Sequence, residues 1–209
     1  MTIFLGRRRV IGAAAALAVP ALPVWAAQLV PTPRQTEGPF YPVAIPPDAD
    51  NDLVKVQGRA GEAKGTILRL AGRVLGRDGR PVPGAVVEIW QCDHRGHYLH
   101  PGDRGPRDED FQGFGRATAD AGGGYSFRTI RPVPYPGRTP HIHFAVLAPG
   151  QPRLVTQMYV AGEPQNERDF LYRNLGPEGQ KAVTVALAPL AGGEPGALAG
   201  RFDIVLPVG

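Results

Sequence analysis

Glycine and proline interrupt this chain so often, 28 and 23 times in 209 residues, that long helices have almost nowhere to form. A helix-interior glycine costs about 1 kcal/mol and a proline about 3 kcal/mol relative to alanine. What survives between the interruptions are short alternating runs. T-I-L-R-L-A-G-R-V (Thr66 to Val74) and A-V-V-E-I-W (Ala85 to Trp90) are two of them, separated by the turn-rich R-D-G-R-P-V-P-G of Arg77 to Gly84. Gly115 to Asp120 and Tyr125 to Ile130 flank Gly122-Gly123-Gly124 and are expected to form a hairpin. Pro140 to Leu147, Arg153 to Val160, Lys181 to Leu187 and Arg201 to Leu206 complete the expected strands, with a short helix in the charged segment Gln165 to Asn174. Some seven short strands with turns between them predict an all-β fold, a β-sandwich with long loops.

The ends of the chain read differently. Arg7, Arg8 and Arg9 precede an apolar, alanine-rich run from Val10 to Leu22, and Val24-Trp25-Ala26 offers small residues for cleavage. G-R-R-R-V-I fits a twin-arginine export signal, with the ordinary secretory route as the alternative, and the expected location is periplasmic. The run is shorter than the ~20 residues a spanning helix needs, and Pro20 and Pro23 end it, so no stable membrane anchor is expected. The expected organisation is a signal over 1–26, an extended proline-spaced arm over 27–65, and a sandwich domain over 66–209. The arm would lie across the domain or across a partner subunit, in a homo-oligomer. About 180 residues beyond the signal suffice for one core. The net charge of +4 includes the three signal arginines, so nucleic acid is not an expected partner. The single Cys92 cannot pair within the chain and reads as a small packed residue.

Chemistry concentrates in P-Y-P-G-R-T-P-H-I-H (Pro134 to His143). Residues i and i+2 of a strand share a face, so His141 and His143 present two imidazoles side by side. Tyr135, fixed between two prolines, and Tyr98, in the polar loop of residues 92 to 113, are candidate phenolate donors. Two phenolates and two imidazoles suit a hard ferric ion, whose charge offsets deprotonation of the phenols. Arg138 is a candidate fixed cation for negative charge on a substrate. Gln157, a polar residue in the apolar run L-V-T-Q-M-Y-V, needs hydrogen-bond partners, either a backbone clamp or a contact supporting the metal ligands. His94, His97 and His100 form a competing cluster, which would make this an exported copper or zinc protein.

T-E-G-P-F-Y-P, G-R-D-G-R-P-V-P-G-A-V-V-E-I-W-Q-C-D-H-R-G-H-Y, P-Y-P-G-R-T-P-H-I-H-F and L-V-T-Q-M-Y, in that order, resemble the intradiol ring-cleavage dioxygenases, in particular the protocatechuate 3,4-dioxygenase branch. The resemblance runs from about Thr36 to Asn174. It implies a non-haem Fe(III) held by Tyr98, Tyr135, His141 and His143. It further implies that Tyr135 doubles as a base, that Arg138 stabilises the electron-rich ring, and that Gln157 orients a hydroxide. Substrate and co-substrate would be a catechol-type ring and O₂, and the product a muconate-type dicarboxylate. Gly137 replaces a bulky aromatic of that branch, a change that bears on the substrate and leaves the ligands matched. The strand-and-turn run from Gly72 to Ile89 also resembles transthyretin-like and carboxypeptidase-regulatory sandwiches, which would make the chain a non-enzymatic binding module. That likeness leaves the two tyrosines and the histidine pair unexplained.

Overall fold

The computed structural model describes residues 28–207. The expected signal, residues 1–26, lies outside them. Among the described residues no helix is long and apolar enough to cross a membrane.

Two five-stranded sheets face each other. In the first, β1 (Ile67–Leu75) pairs antiparallel with β4 (Gly124–Ile130). It also pairs in parallel with β9 (Leu198–Arg201) and then β10 (Ile204–Val205), and β8 (Ala188–Pro189) joins β9. The second sheet runs β3 (Phe114–Thr118), β2 (Val86–Trp90), β5 (His141–Leu147), β6 (Leu154–Val160), β7 (Thr184–Val185). Alternation sends Leu68, Leu70 and Phe127 from one sheet and Val87, Ile89, Ile142, Phe144 and Met158 from the other into a shared core. Each fully buried side chain of this kind contributes about 1.5–3 kcal/mol. Cys92 is buried as expected, its thiol pushed up to about 12 by burial first and Asp93 second.

Two expectations about elements need correction. Gly122 to Gly124 do not close a hairpin, because β3 belongs to one sheet and β4 to the other. Asp120 accepts from the N–H groups of Gly122 and Gly124, which turns the chain across the sandwich instead. Lys181 to Leu187 is mostly not strand. After a 3₁₀ turn (Pro164–Glu167) and α1 (Phe170–Arg173), α2 spans Gly176–Val183 and takes in Lys181, leaving the two residues of β7. Pro177 in its first turn and Val183 as its one buried residue define a helix that the alternating A-V-T-V concealed.

The N-terminal arm binds its own chain. Thr32 donates its N–H to the Val205 carbonyl and accepts from the Val205 N–H, both at 2.9 Å. The Gln35 N–H reaches the Val155 carbonyl at 2.8 Å. Farther along, Leu53 and Val54 are fully buried in the core. A buried carboxylate, Glu88 on β2, latches the arm: Tyr41 Oη donates to it at 2.9 Å, and Arg116 Nη2 at 2.6 Å. Arg153 sits over the Tyr41 ring at 4.7 Å and pairs with Glu37. The arm is thereby held over the outer face of the second sheet, the face that carries His141 and His143.

Candidate metal centre

β5 and its neighbours set the site. His141 pairs across the ladder with Tyr159, and His143 with Trp90 on one side and Gln157 on the other. Both histidines are 1% exposed. His143 stacks on Trp90, ring centroids 4.8 Å apart. His141 Nδ1 lies 2.7 Å from the Thr139 carbonyl oxygen, a contact only an N–H can make, so its Nε2 carries a lone pair. That Nε2 faces His143 Nε2 at 3.2 Å. Burial first, and Arg138 second, hold the imidazolium of His141 down to about 3. Burial, then His141 and Arg138, hold that of His143 well below its usual range. Both rings are therefore neutral near pH 7, the form that binds metals.

Tyr135 and Arg138 close a tight turn, with the Arg138 N–H donating to the Tyr135 carbonyl at 2.9 Å. Pro136 and Gly137, the latter at φ 82°, occupy the positions where a type II turn takes proline and glycine. The turn aims both of its ends at the histidines: Arg138 Nη1 is 3.4 Å from Tyr135 Oη and 3.4 Å from His141 Nε2. Tyr98 enters from the long loop, 2% exposed, stacked on Phe40 of the arm at 4.6 Å and edge-on to Tyr135 at 5.5 Å. Its backbone is held by Asp103, which accepts the Tyr98 N–H at 2.8 Å. Burial raises the pKa of both phenols, and Arg138 offsets part of this at Tyr135.

The donor set fits a cation. Tyr98 Oη is buried without a hydrogen-bond partner, and the Nε2 atoms of two imidazoles face each other; His143 Nδ1 is also unmet, but it lies on the other side of its ring and would not meet an ion there. A proton shared by the histidines would leave the Tyr98 hydroxyl unmet. A hard cation between the rings would engage Tyr98, Tyr135, His141 and His143 together.

Gln157 uses both ends of its amide. Oε1 accepts from Arg138 Nη2 at 2.6 Å and from Tyr159 Oη at 3.0 Å, and Nε2 donates to the Thr36 carbonyl at 3.0 Å. The competing cluster does not assemble. His97 Nδ1 lies 3.1 Å from Asp103, His100 Nδ1 accepts from the Gly102 N–H at 2.9 Å, and His94 sits between Arg95 and Asp108. Among the described residues no group of three or more His, Cys, Asp or Glu is placed to hold a metal.

Sequence reasoning missed several contributors. Gly38 lies so close to His143 that a Cβ there would be 3.3 Å from the ring, and Phe40 covers Tyr98. Tyr159 Oη, whose one hydrogen is shared with Gln157, lies 2.8 Å from Gln35 Oε1. Asp169, 2% exposed, holds Arg138 Nε at 2.8 Å. The run E-G-P-F-Y carried a signal for the first two, and the i+2 spacing from Gln157 carried one for Tyr159. Asp169 had none beyond its charged segment.

A family model described as Dioxygenase matches residues 36–207. The protocatechuate 3,4-dioxygenase beta chain of Burkholderia cepacia is 38% identical over 185 residues, 83% of this chain and 78% of that one. Catechol 1,2-dioxygenase 2 of Acinetobacter lwoffii is 36% identical over 159 residues, 68% of this chain and 55% of that one. Among solved structures, the dioxygenase domain of a dioxygenase carbohydrate-binding protein fusion from Streptomyces sp. SirexAA-E superposes with a TM-score of 0.66 at 34% identity, covering 86% of this chain and 100% of that one. The chain belongs to the intradiol ring-cleavage dioxygenase family, with its protocatechuate-like branch among the relatives. Neither a binding module nor a copper or zinc protein is favoured by these likenesses.

Proposed function

We propose that this protein is an exported non-haem Fe(III) dioxygenase that opens a catechol-type ring between its two hydroxyl-bearing carbons, using O₂ and giving a muconate-type dicarboxylate. The observation that carries the reading is the convergence of a buried phenol without a hydrogen-bond partner, Tyr98, and a half-buried one, Tyr135, on two neutral imidazoles whose Nε2 atoms face each other. Tyr98, Tyr135, His141 and His143 would hold the ion, which would supply a Lewis acid that draws electron density from the catecholate and makes a ring carbon reactive towards O₂.

The chain's own residues supply the rest. Tyr135 Oη, half-buried at the open side of the site, would be a phenolate when it holds the ion, and in that form would take a proton from a substrate hydroxyl. Arg138 meets the negative charge that grows on the ring as it is attacked, and Gln157 fixes the direction of the guanidinium and of the oxygen species beside it. Phe40, Trp90 and the arm keep water from the donor face. A cavity of about 500 Å³ lies beside the turn, bounded by Tyr135, Gly137, Arg138, Gln165 and Arg168, and nothing would lie within 4 Å of a Cβ at Gly137.

The test is oxygen uptake and product analysis with catechol and protocatechuate on iron-loaded protein. Muconate-type products are expected, whereas extradiol products or no uptake would overturn the reading. Export rests on the Arg7–Arg9 run. Arg7→Lys with Arg8→Lys should strand the precursor inside the cell, and unchanged export would indicate the ordinary secretory route.

A further inference from the structure

Arg138 has five N–H donors and, in a site of this kind, many wrong directions to point. The structure shows what selects one. Its Nε donates to Asp169 Oδ2 at 2.8 Å, while Nη1 and Nη2 turn towards Tyr135, His141 and Gln157. The Asp169 side chain is fully buried, and the Arg138 side chain is 16% exposed. The same Oδ2 accepts the Thr139 N–H at 3.0 Å, and Oδ1 accepts the Tyr172 N–H at 3.0 Å, capping α1. One carboxylate therefore ties together the guanidinium, the backbone entering β5 and the start of a helix. Burial works against charge on both partners. For Arg138 the Asp169 carboxylate, together with Tyr135 and Tyr159, more than offsets it, and for Asp169 the Tyr172 N–H, Arg138 and the Thr139 N–H do the same. A buried carboxylate held by three donors is a rigid post, and an arginine held through Nε retains both terminal nitrogens for other work.

We infer that Asp169 is the positioning residue for Arg138: it fixes the guanidinium so that Nη1 and Nη2 face the substrate side of the site. The inference rests on the proposed role of Arg138 at the substrate's developing charge. A group misplaced by about 1 Å can cost on the order of 10²-fold in rate without weakening ground-state binding. Asp169 thus acts through Arg138 and need not touch substrate.

Asp169→Ser is the informative variant, because serine also caps helix N-termini and so leaves the Tyr172 N–H an acceptor while removing the partner of Arg138. Asp169→Asn, closer in shape, is the second variant should the serine protein fold poorly. Turnover is expected to fall between about 10-fold and 10²-fold with KM for catechol within about threefold, and with iron content and visible colour unchanged. In an Arg138→Leu background the same substitution should cost nothing further, since the residue it positions is gone. A readout independent of activity is the Arg138 Nε–H resonance of the metal-free protein. It should be slow to exchange in the wild type and lose that protection in Asp169→Ser. Equal losses in both backgrounds, loss of iron with Asp169→Ser, or an unchanged Nε–H signal would each overturn the inference. A wild-type protein that fails to turn over any catechol would instead refute the proposed function, while the Nε–H comparison would still report on the Arg138–Asp169 link.

Discussion

His141 and His143 lie buried with their Nε2 atoms 3.2 Å apart, whereas His94, His97 and His100 are spread along a loop where each ring has a polar neighbour of its own. The loop is richer in histidine, and both regions hold buried atoms without a partner, His94 Nδ1 and Tyr98 Oη in the loop and His143 Nδ1 on the strand. What sets the strand apart is two buried rings whose Nε2 atoms face each other, and a high count of ligand-type residues does not by itself produce that. The loop has a different task. Asp93, Asp103 and Asp108 gather its backbone N–H groups, and the Asp103 contact holds the backbone of Tyr98 in place. In the proposed metal site the loop would deliver one donor, and the strand two.

The largest effect should come from the strand pair. His141→Ala or His143→Ala should abolish both bound iron and colour. The loss should exceed the about 10–100-fold in metal affinity typical of removing a mere supporting contact. Full iron occupancy in both variants would dissolve the contrast with the loop. Arg138→Leu should come next, keeping iron and the colour change with catechol while turnover drops by about 10²–10³-fold, as for loss of one preorganised donor. Normal turnover would leave Arg138 a structural turn residue.

The face that bears the pair depends on the arm, and Glu88→Gln tests the latch. Hydrogen bonds to a charged group are worth about 1.5–3 kcal/mol, so the unfolding free energy should fall by that much, seen as a lower urea midpoint at an unchanged slope. An unchanged midpoint would mean that Tyr41 and Arg116 are held without it.

Acid sharpens the comparison from the loop side. Burial opposes ionisation of Asp103 and Asp108, but the N–H groups of Tyr98 and Gly105 on one, and of Lys64 and Asp110 on the other, lower both below the usual carboxylate range. Carboxylates depressed by folding stabilise above their unfolded value, about 3.9, and that stabilisation is lost as pH falls through the folded values. Amide exchange over residues 92–113 of the metal-free protein should hence be level from about pH 8 to about pH 5, after correction for intrinsic exchange rates, and accelerate below about pH 4. Loosening that begins near neutrality would show that the carboxylates are not what holds the loop. The smallest effect belongs to the loop histidines. Replacing His94, His97 and His100 with Asn should change turnover no more than about twofold, because an Asn amide at position 97 can still donate to Asp103 and Asp103 keeps the Tyr98 N–H.

How much of this was legible in the sequence follows from how local each feature is. The histidine pair needs only the two-residue period of a strand, and the Tyr135–Arg138 turn needs only Pro136 and Gly137 between them. Both could be placed from nine consecutive residues. The sandwich itself followed from short alternating runs and dense turns. The course of the arm did not, because its contacts, such as Thr36 with Gln157, join residues that only the fold brings together. Asp169 was invisible for the same reason, lying 31 residues beyond the arginine it holds. The hairpin expected at Gly122 to Gly124 failed because a glycine-rich turn specifies a change of direction without specifying which sheet receives the next strand. The strand expected from Lys181 failed because alternation over a few residues cannot distinguish a strand from the last turn of a helix.

The most direct measurement is metal analysis with visible absorption, on natively purified wild type and on the variant lacking all three loop histidines. Both proteins should contain about one iron per chain and show the same broad reddish-brown phenolate-to-iron band. Zinc or copper in place of iron, a colourless wild type, or a band that disappears with His94, His97 and His100 would contradict the assignment of the metal to Tyr98, Tyr135, His141 and His143.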